Sequence, residues 1–191
     1  ADIKGCFDNI SHDWMLQNIP LDKTILRQWL KCGFVADKGS LFPTVAGTPQ
    51  GGIASPCLCN MVLDGLERVV KTARQSGRQI NFVRYADDFI VTARHRSDLE
   101  QFILPAIQDH LRVRGLALSE EKTRIRHVRQ GFDFLGQHLR KYSHGKLWIT
   151  PSDKNVKTFL SKTRAVIRAS RGHNLQTLIE RLNPMVQGWA N

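Results

Sequence analysis

The stretch Tyr85-Ala86-Asp87-Asp88 constrains the fold more than any other part of this chain. Residues 80–86 and 89–93 are rich in β-branched and aromatic side chains, the composition of strands. Two such runs in close succession predict a hairpin with both acids at its tip. Neighbouring carboxylates repel each other and resist ionisation. A divalent cation relieves that cost, and Mg²⁺ prefers carboxylate oxygens. A third acid, Asp2, stands at the end of a strand-like segment, residues 1–3. Acids from separate strands that clamp two metal ions are a device for moving phosphoryl groups.

Other segments build the frame. Leu21 to Leu30 has helical spacing, and Leu41 to Ala46 predicts a strand. Gly47-Thr48-Pro49-Gln50-Gly51-Gly52 must be a loop. Ser55-Pro56 predicts a helix start with Ser55 as N-cap, and Leu58, Val62, Leu66, Val69 and Ala73 continue one apolar face. Ser97 and Glu100 have capping-box spacing, Pro105 should kink the helix behind them, and Gly115 should end it. Strands are expected at 124–128, 133–140 and 146–149. This order predicts an α+β fold, a largely antiparallel sheet with helices on one face.

The pattern changes at Thr150-Pro151, which suggests a body of residues 1–149 and a helical part of residues 150–191. Val156, Phe159, Leu160, Thr163, Val166 and Ile167 form one stripe, and Lys157, Ser161, Arg164, Arg168 and Arg171 form another. Beyond Gly172 a second helix should run from Leu175 and break at Asn183-Pro184.

Charge follows the same division. Residues 1–121 hold 14 Lys/Arg and 14 Asp/Glu, whereas residues 122–191 hold 14 Lys/Arg and 3 Asp/Glu. A neutral body with a basic extension fits a catalytic unit joined to a polyanion clamp. The cationic row lacks acidic i+4 partners and repels itself, and a phosphate backbone would relieve it. Cys6, Cys32, Cys57 and Cys59 do not have zinc-site spacing and read as reduced core thiols of a cytoplasmic, bacterial protein. The sequence has neither a membrane-spanning run nor a secretory signal.

Three motifs in order give the chemistry a context. They are Asp2-Ile3-Lys4-Gly5-Cys6-Phe7-Asp8-Asn9-Ile10, Gly47 through Pro56, and Tyr85-Ala86-Asp87-Asp88. Together they resemble the palm of reverse transcriptases, most closely the group II intron-encoded reverse transcriptase/maturase family. Phe132-Asp133-Phe134-Leu135-Gly136 extends the likeness. Leu182-Asn183-Pro184 with Gly188-Trp189-Ala190-Asn191 resembles the start of that family's maturase-specific thumb.

The resemblance implies an RNA-directed DNA polymerase palm at residues 1–149 and a partial thumb at 150–191, with the family's fingers expected upstream of Asp2. It implies that Asp2, Asp87 and Asp88, helped by the Ile3 carbonyl, hold two Mg²⁺ ions, with Mn²⁺ as a substitute. Gly5, Cys6, Phe7, Gln50 and Gly51 would meet the incoming dNTP, with Phe7 as a steric gate against the ribose 2′-hydroxyl. Lys122 would protonate pyrophosphate, or alternatively pair with Glu120 or Glu121. Phe134 and Gly136 would belong to a primer grip, and Lys157, Arg164, Arg168 and Arg171 would track the template–primer backbone. The implied partners are an RNA template, a DNA primer, dNTPs and intron RNA, without a membrane and with a homodimer allowed. On this reading a palm with a partial thumb polymerises poorly alone. The competing readings are a CRISPR-associated reverse transcriptase of the same lineage, a non-catalytic RNA-binding splicing factor, and a palm-fold nucleotidyl cyclase. Intact acids speak against the splicing factor, and the basic extension speaks against the cyclase.

Overall fold

Alternation along one hairpin organises the first half of the protein. The computed structural model describes residues 1–35, 41–49, 52–74 and 77–190. They form two compact units, Ala1–Ile125 and Arg126–Asn191.

The first unit opens with helices α1 (Cys6–Asn9), α2 (His12–Asn18) and α3 (Lys23–Lys31). Helix α3 starts two residues later than the spacing suggested. The Asp22 carboxylate accepts the Thr24 and Ile25 amides at 2.9 and 3.0 Å, a side-chain cap that leaves Leu21 outside. Strands β1 (Phe34–Val35) and β2 (Leu41–Phe42) form a small antiparallel pair, so the expected strand at 41–46 shrinks to two residues.

Helix α4 (Ser55–Val62) has Ala54, not Ser55, at its N-cap. The Ser55 hydroxyl instead donates to the Pro49 carbonyl at 2.8 Å and ties down the preceding loop. The long helix expected through Ala73 is divided. Gly65, at φ 82°, separates α4 from α5 (Leu66–Ala73).

Strands β3 (Ile80–Tyr85) and β4 (Asp88–Ala93) pair antiparallel from Ile80↔Ala93 to Tyr85↔Asp88, as the sequence predicted. Helix α6 (Arg96–Asp98), a π-helical turn (Leu99–Ile103) and α7 (Leu104–Arg112) follow. The expected capping box does not form. His95 is the N-cap, and Glu100 accepts from Arg96 at 2.7 Å. The wide turn lies immediately before Pro105, which has no N–H to donate one turn back. The Gly115 and Leu116 amides reach Arg112 and Leu111 oxygens, the paired bonds of a Schellman ending.

The core face of the hairpin carries Ile80, Phe82, Phe89 and Val91, and the Phe82 and Phe89 ring centroids lie 5.7 Å apart. Met15, Leu26, Leu30, Leu58, Val62, Leu66, Val70, Ile107 and Leu111 pack with them from the helices. Full burial of such a side chain stabilises by about 1.5–3 kcal/mol. Arg78 and the buried Asp98 form an ion pair that anchors the approach to β3 on α6. The α+β expectation therefore holds, with helices behind an antiparallel sheet.

The second unit begins with a meander of β5 (Phe132–Phe134), β6 (Gln137–Lys141) and β7 (Leu147–Pro151). The strand expected at 124–128 is absent, and the one expected at 133–140 is two strands. Leu135 and Gly136, at φ 49° and 78°, make the tight turn between them. Ser152 caps helix α8 (Asp153–Ala169), and both the Ser152 amide and the Asn155 side chain donate to the Gly136 carbonyl. These bonds join the meander to the helices, so the compact units divide at Ile125/Arg126 and not at the compositional break.

Helix α9 (Leu175–Ala190) runs unbroken through Pro184, contrary to the expected break. The stacked Phe159 and Trp189 rings, 4.6 Å apart, hold α8 and α9 together across a turn. That contact offsets the cost of an internal proline. No described helix is long and apolar enough to cross a membrane.

Candidate active site

Two strand pairings bring the upstream acid to the hairpin tip. The Ala1 and Phe89 backbones exchange both hydrogen bonds, at 2.9 and 3.1 Å. On the other side, Ile3 bridges Leu118, with Lys4 N–H donating to Ala117 and Ser119 N–H to Asp2. The segment around Asp2 is therefore a central strand between β4 and residues 117–119. Phe89 and Ile3 both point into the core. Alternation then sends Asp2 and Asp88 to the opposite, helix-free face. In an antiparallel ladder successive carbonyls point to opposite neighbours. With the Asp2 carbonyl committed to Ser119, that of Ile3 is directed towards the β4 side.

The tip itself is a two-residue connection, Ala86-Asp87. Ala86 has φ 53°, a conformation that costs a side-chain-bearing residue about 1–2 kcal/mol. Arg84 holds it there, donating to the Ala86 carbonyl and to Asn60 Oδ1, both at 2.9 Å. Arg84 is not among the residues expected at the site. Its signal was an arginine at a core-facing position of β3, which must find acceptors.

The charges interact. Burial, then the Asp2 and Asp87 charges, raise the Asp88 carboxyl above the ordinary carboxylate range. Lys122 Nζ lies 2.6 Å from Asp2 Oδ2, so it pairs with Asp2 and not with Glu120 or Glu121. The hydrogen bond and charge of Asp2 raise the Lys122 ammonium above its usual range. The Asp2 side chain is 15% exposed.

Among the described residues, no three His, Cys, Asp or Glu side chains form a ready cage for a metal ion. A polymerase-type Mg²⁺ site does not require one. Such an ion takes one or two carboxylates, keeps several waters and completes its shell with substrate phosphates. Carboxylates close enough to raise Asp88, with a cation already drawn to Asp2, fit that donor set.

The neighbouring motif residues are partly accounted for. Gly5, at φ 50°, begins α1, and the Asn9 side chain donates to the Lys4 and Gly5 carbonyls. Phe7 is half-buried, packs against the core and accepts the Thr48 amide at 2.6 Å. Gly47 meets the same segment so closely that a Cβ there would fall 2.0 Å from the Phe7 carbonyl. Gln50 and Gly51 lie outside the described residues. Cys6 and Cys59 are buried with sulfurs 3.3 Å apart, whereas Cys32 and Cys57 are exposed, so only half of the core-thiol expectation holds. The hydrogen bond to Cys59, then burial and nearby acids, push the Cys6 thiol well above the ordinary range.

In the second unit, Phe134 ends β5 and Gly136 sits in the turn that follows. Lys157, Arg164 and Arg168 are exposed on α8. Arg171 lies in the turn beyond it, so the expected row of four helical cations is three plus one.

A sheet that carries paired acids and, in the second unit, a basic helix α8 point to a class. Residues 1–139 match the family described as reverse transcriptase (RNA-dependent DNA polymerase), and the chain belongs to that family. Residues 156–191 match the group II intron, maturase-specific domain. The chain is 26% identical to the group II intron-encoded protein LtrA of Lactococcus lactis subsp. cremoris, over 77% of this chain and 35% of that protein. It is 25% identical to the putative COX1/OXI3 intron 2 protein of Saccharomyces cerevisiae, over 88% and 26%. It is 23% identical to protein YkfC of Escherichia coli, over 87% and 54%. The chain thus spans about a quarter to a half of the length of these relatives.

Proposed function

We propose that this chain supplies the catalytic palm and the beginning of the thumb of an enzyme that adds deoxynucleotides to a primer 3′-hydroxyl on an RNA template. The pairing of Ala1 with Phe89 carries this reading, because it sets Asp2 beside the Asp87-Asp88 tip on an open sheet face. In this reading Asp2 and Asp87 hold two Mg²⁺ ions, and Asp88 supports or ligates. When bound, such ions lower the pKa of the attacking hydroxyl and neutralise charge on the triphosphate.

The protein's own groups do the rest. The rigid strand pairing fixes the carboxylates relative to one another, so less ordering is needed when substrate arrives. Arg84 keeps the strained tip in place. Phe7 would bar a ribose 2′-hydroxyl, and the backbone amides of Gly5 and Cys6 would meet the phosphates, the Cys6 side chain itself being buried. Lys122 pairs with Asp2, and it would be the group placed to give a proton to departing pyrophosphate once the Asp2 carboxylate is engaged elsewhere. Phe134 and Gly136 serve the primer, and the α8 cations serve the duplex backbone. Intron RNA is the partner that the maturase-specific segment suggests.

The test is metal-dependent incorporation of dNTPs on an RNA template by a protein carrying this chain, against its Asp87→Ala, Asp88→Ala variant. We expect loss of at least about 10³-fold, the scale of removing charge stabilisation from such a site. Equal incorporation by both proteins defeats the assignment.

A further inference from the structure

The β6–β7 hairpin carries a surface that the catalytic reading does not use. Register pairs Arg140 with Trp148, and the Tyr142 amide donates to the Lys146 carbonyl at 3.0 Å, which extends the pairing by one step. Alternation therefore places Arg140, Tyr142, Lys146 and Trp148 on one face. The Trp148 ring lies edge-on to Tyr142 at 5.8 Å, and Tyr142 stacks on His144 at 5.9 Å. The Arg140 guanidinium sits 5.0 Å from the Tyr142 ring centroid. Trp148 nevertheless remains 55% exposed.

Indoles are costly to leave in water, and this one is held in place by a neighbour that does not cover it. Residues 134–152 contain Arg140, Lys141 and Lys146 and no Asp or Glu. None of those three cations forms a salt bridge within the described residues. On this face Arg140, whose Nε donates to the Arg129 carbonyl at 2.9 Å, and Lys146 have no acidic partner among the described residues, and the acid on the same face, Asp133, is taken by His138. An aromatic surface flanked by such cations has the two elements of a single-strand platform. Bases stack on the ring, and phosphates meet the cations. A hydrophobic protein partner would use the ring but leave the cations desolvated, whereas a duplex offers no open base to stack.

We propose that the Arg140–Trp148 hairpin face is a docking site for single-stranded nucleic acid, with Trp148 stacking a base and Arg140 and Lys146 taking adjacent phosphates. The site lies within one compact unit and needs neither metal nor dNTP, so it stands independently of the polymerase assignment.

The experiment is fluorescence anisotropy of labelled single strands about 12 nucleotides long, RNA and DNA in separate arms, in EDTA without dNTP. Trp148→Ala should weaken binding about 5- to 150-fold. Trp148→Phe should largely retain it and Trp148→Leu should lose it, a split that a merely structural role would not produce. Arg140→Gln and Lys146→Gln should each flatten the salt dependence by about 0.7 in log–log slope. The Asp87→Ala, Asp88→Ala protein should bind as the unaltered one does. Binding of either strand that falls in Trp148→Ala supports the site and names its source. Wild-type affinity in Trp148→Leu, tighter binding of duplex than single strand, or displacement of the strand by poly-glutamate as efficiently as by unlabelled strand would each overturn it.

Discussion

The two units of this protein are stabilised in different ways. In Ala1–Ile125, side chains from six helices and the sheet bury one continuous core, from Ile3 to Leu116. In Arg126–Asn191, no described apolar side chain is fully buried. That unit instead relies on a ring stack, cap bonds and the meander, and it holds 12 Lys/Arg against 3 Asp/Glu. The first unit can hold carboxylates in a fixed arrangement because its strands are locked by packing behind them. The second offers cations on exposed helix and hairpin faces, where shape matters less than charge. Substitutions should therefore act on stability in the first unit and on polyanion affinity in the second.

The largest stability effect should come where backbone meets backbone. Gly47 has φ 72°, and its amide and that of Thr48 bond the Ile10 and Phe7 carbonyls. A Cβ at this position would lie 2.0 Å from the Phe7 oxygen and 2.5 Å from the Asp8 carbonyl carbon. Neither atom is the end of a flexible side chain. Gly47→Ala should cost about 2–5 kcal/mol, combining left-handed strain with overpacking. Chemical denaturation measures it. A loss below about 0.5 kcal/mol, typical of a neutral surface change, would show that the loop is not braced on α1.

A smaller, pH-dependent effect should come from His110 on α7. Burial, with Arg114 and Arg68 nearby, pulls its pKa down from 6.5 to about 4. The unfolded chain then binds a proton more readily than the folded one. Stability is fully present above about pH 6.5 and falls as pH drops towards 4. Because the ring is only half-buried, the loss is on the order of 1–2 kcal/mol. Urea titrations at pH 7.5, 5.5 and 4.5 should show this slope flattened in His110→Gln. An unchanged slope in the variant would assign the pH dependence elsewhere.

Much of the first unit was legible because its signals are local. The hairpin at 80–93 follows from composition and alternation, and its register placed the acids at the tip as expected. What the sequence concealed was set by competing partners, two of them near in the chain and one far along it. Ser55 has every local qualification for an N-cap, yet its hydroxyl bonds Pro49 instead. Glu100 has capping-box spacing, yet Arg96 takes it. Lys122 stands beside two glutamates, yet it pairs with Asp2, 120 positions upstream, because the Ile3–Leu118 bridge brings their segments together. In the second unit, local rules overestimated proline. Asn183-Pro184 reads as a stop, whereas the packing of Trp189 on Phe159 carries α9 past it.

The smallest effect on stability should accompany a clear effect on binding, and it tests the comparison from the other side. Lys157, Arg164 and Arg168 are exposed on α8, while Val156, Phe159, Thr163 and Val166 form its half-buried stripe. None of the three cations has a salt-bridge partner among the described residues. Removing one should therefore relieve as much mutual repulsion as it loses in solvation. Arg164→Gln and Arg168→Gln should each change unfolding free energy by less than about 0.5 kcal/mol. If these side chains meet phosphates, each should lower the log–log salt slope for a template–primer duplex by about 0.9. The hairpin cations Arg140 and Lys146 should affect a single strand and leave the duplex slope alone. If Arg164→Gln and Arg168→Gln instead destabilise the fold and leave the slope unchanged, the second unit depends on its charges for structure, and the contrast between a packed, carboxylate-bearing body and a cation-bearing extension fails.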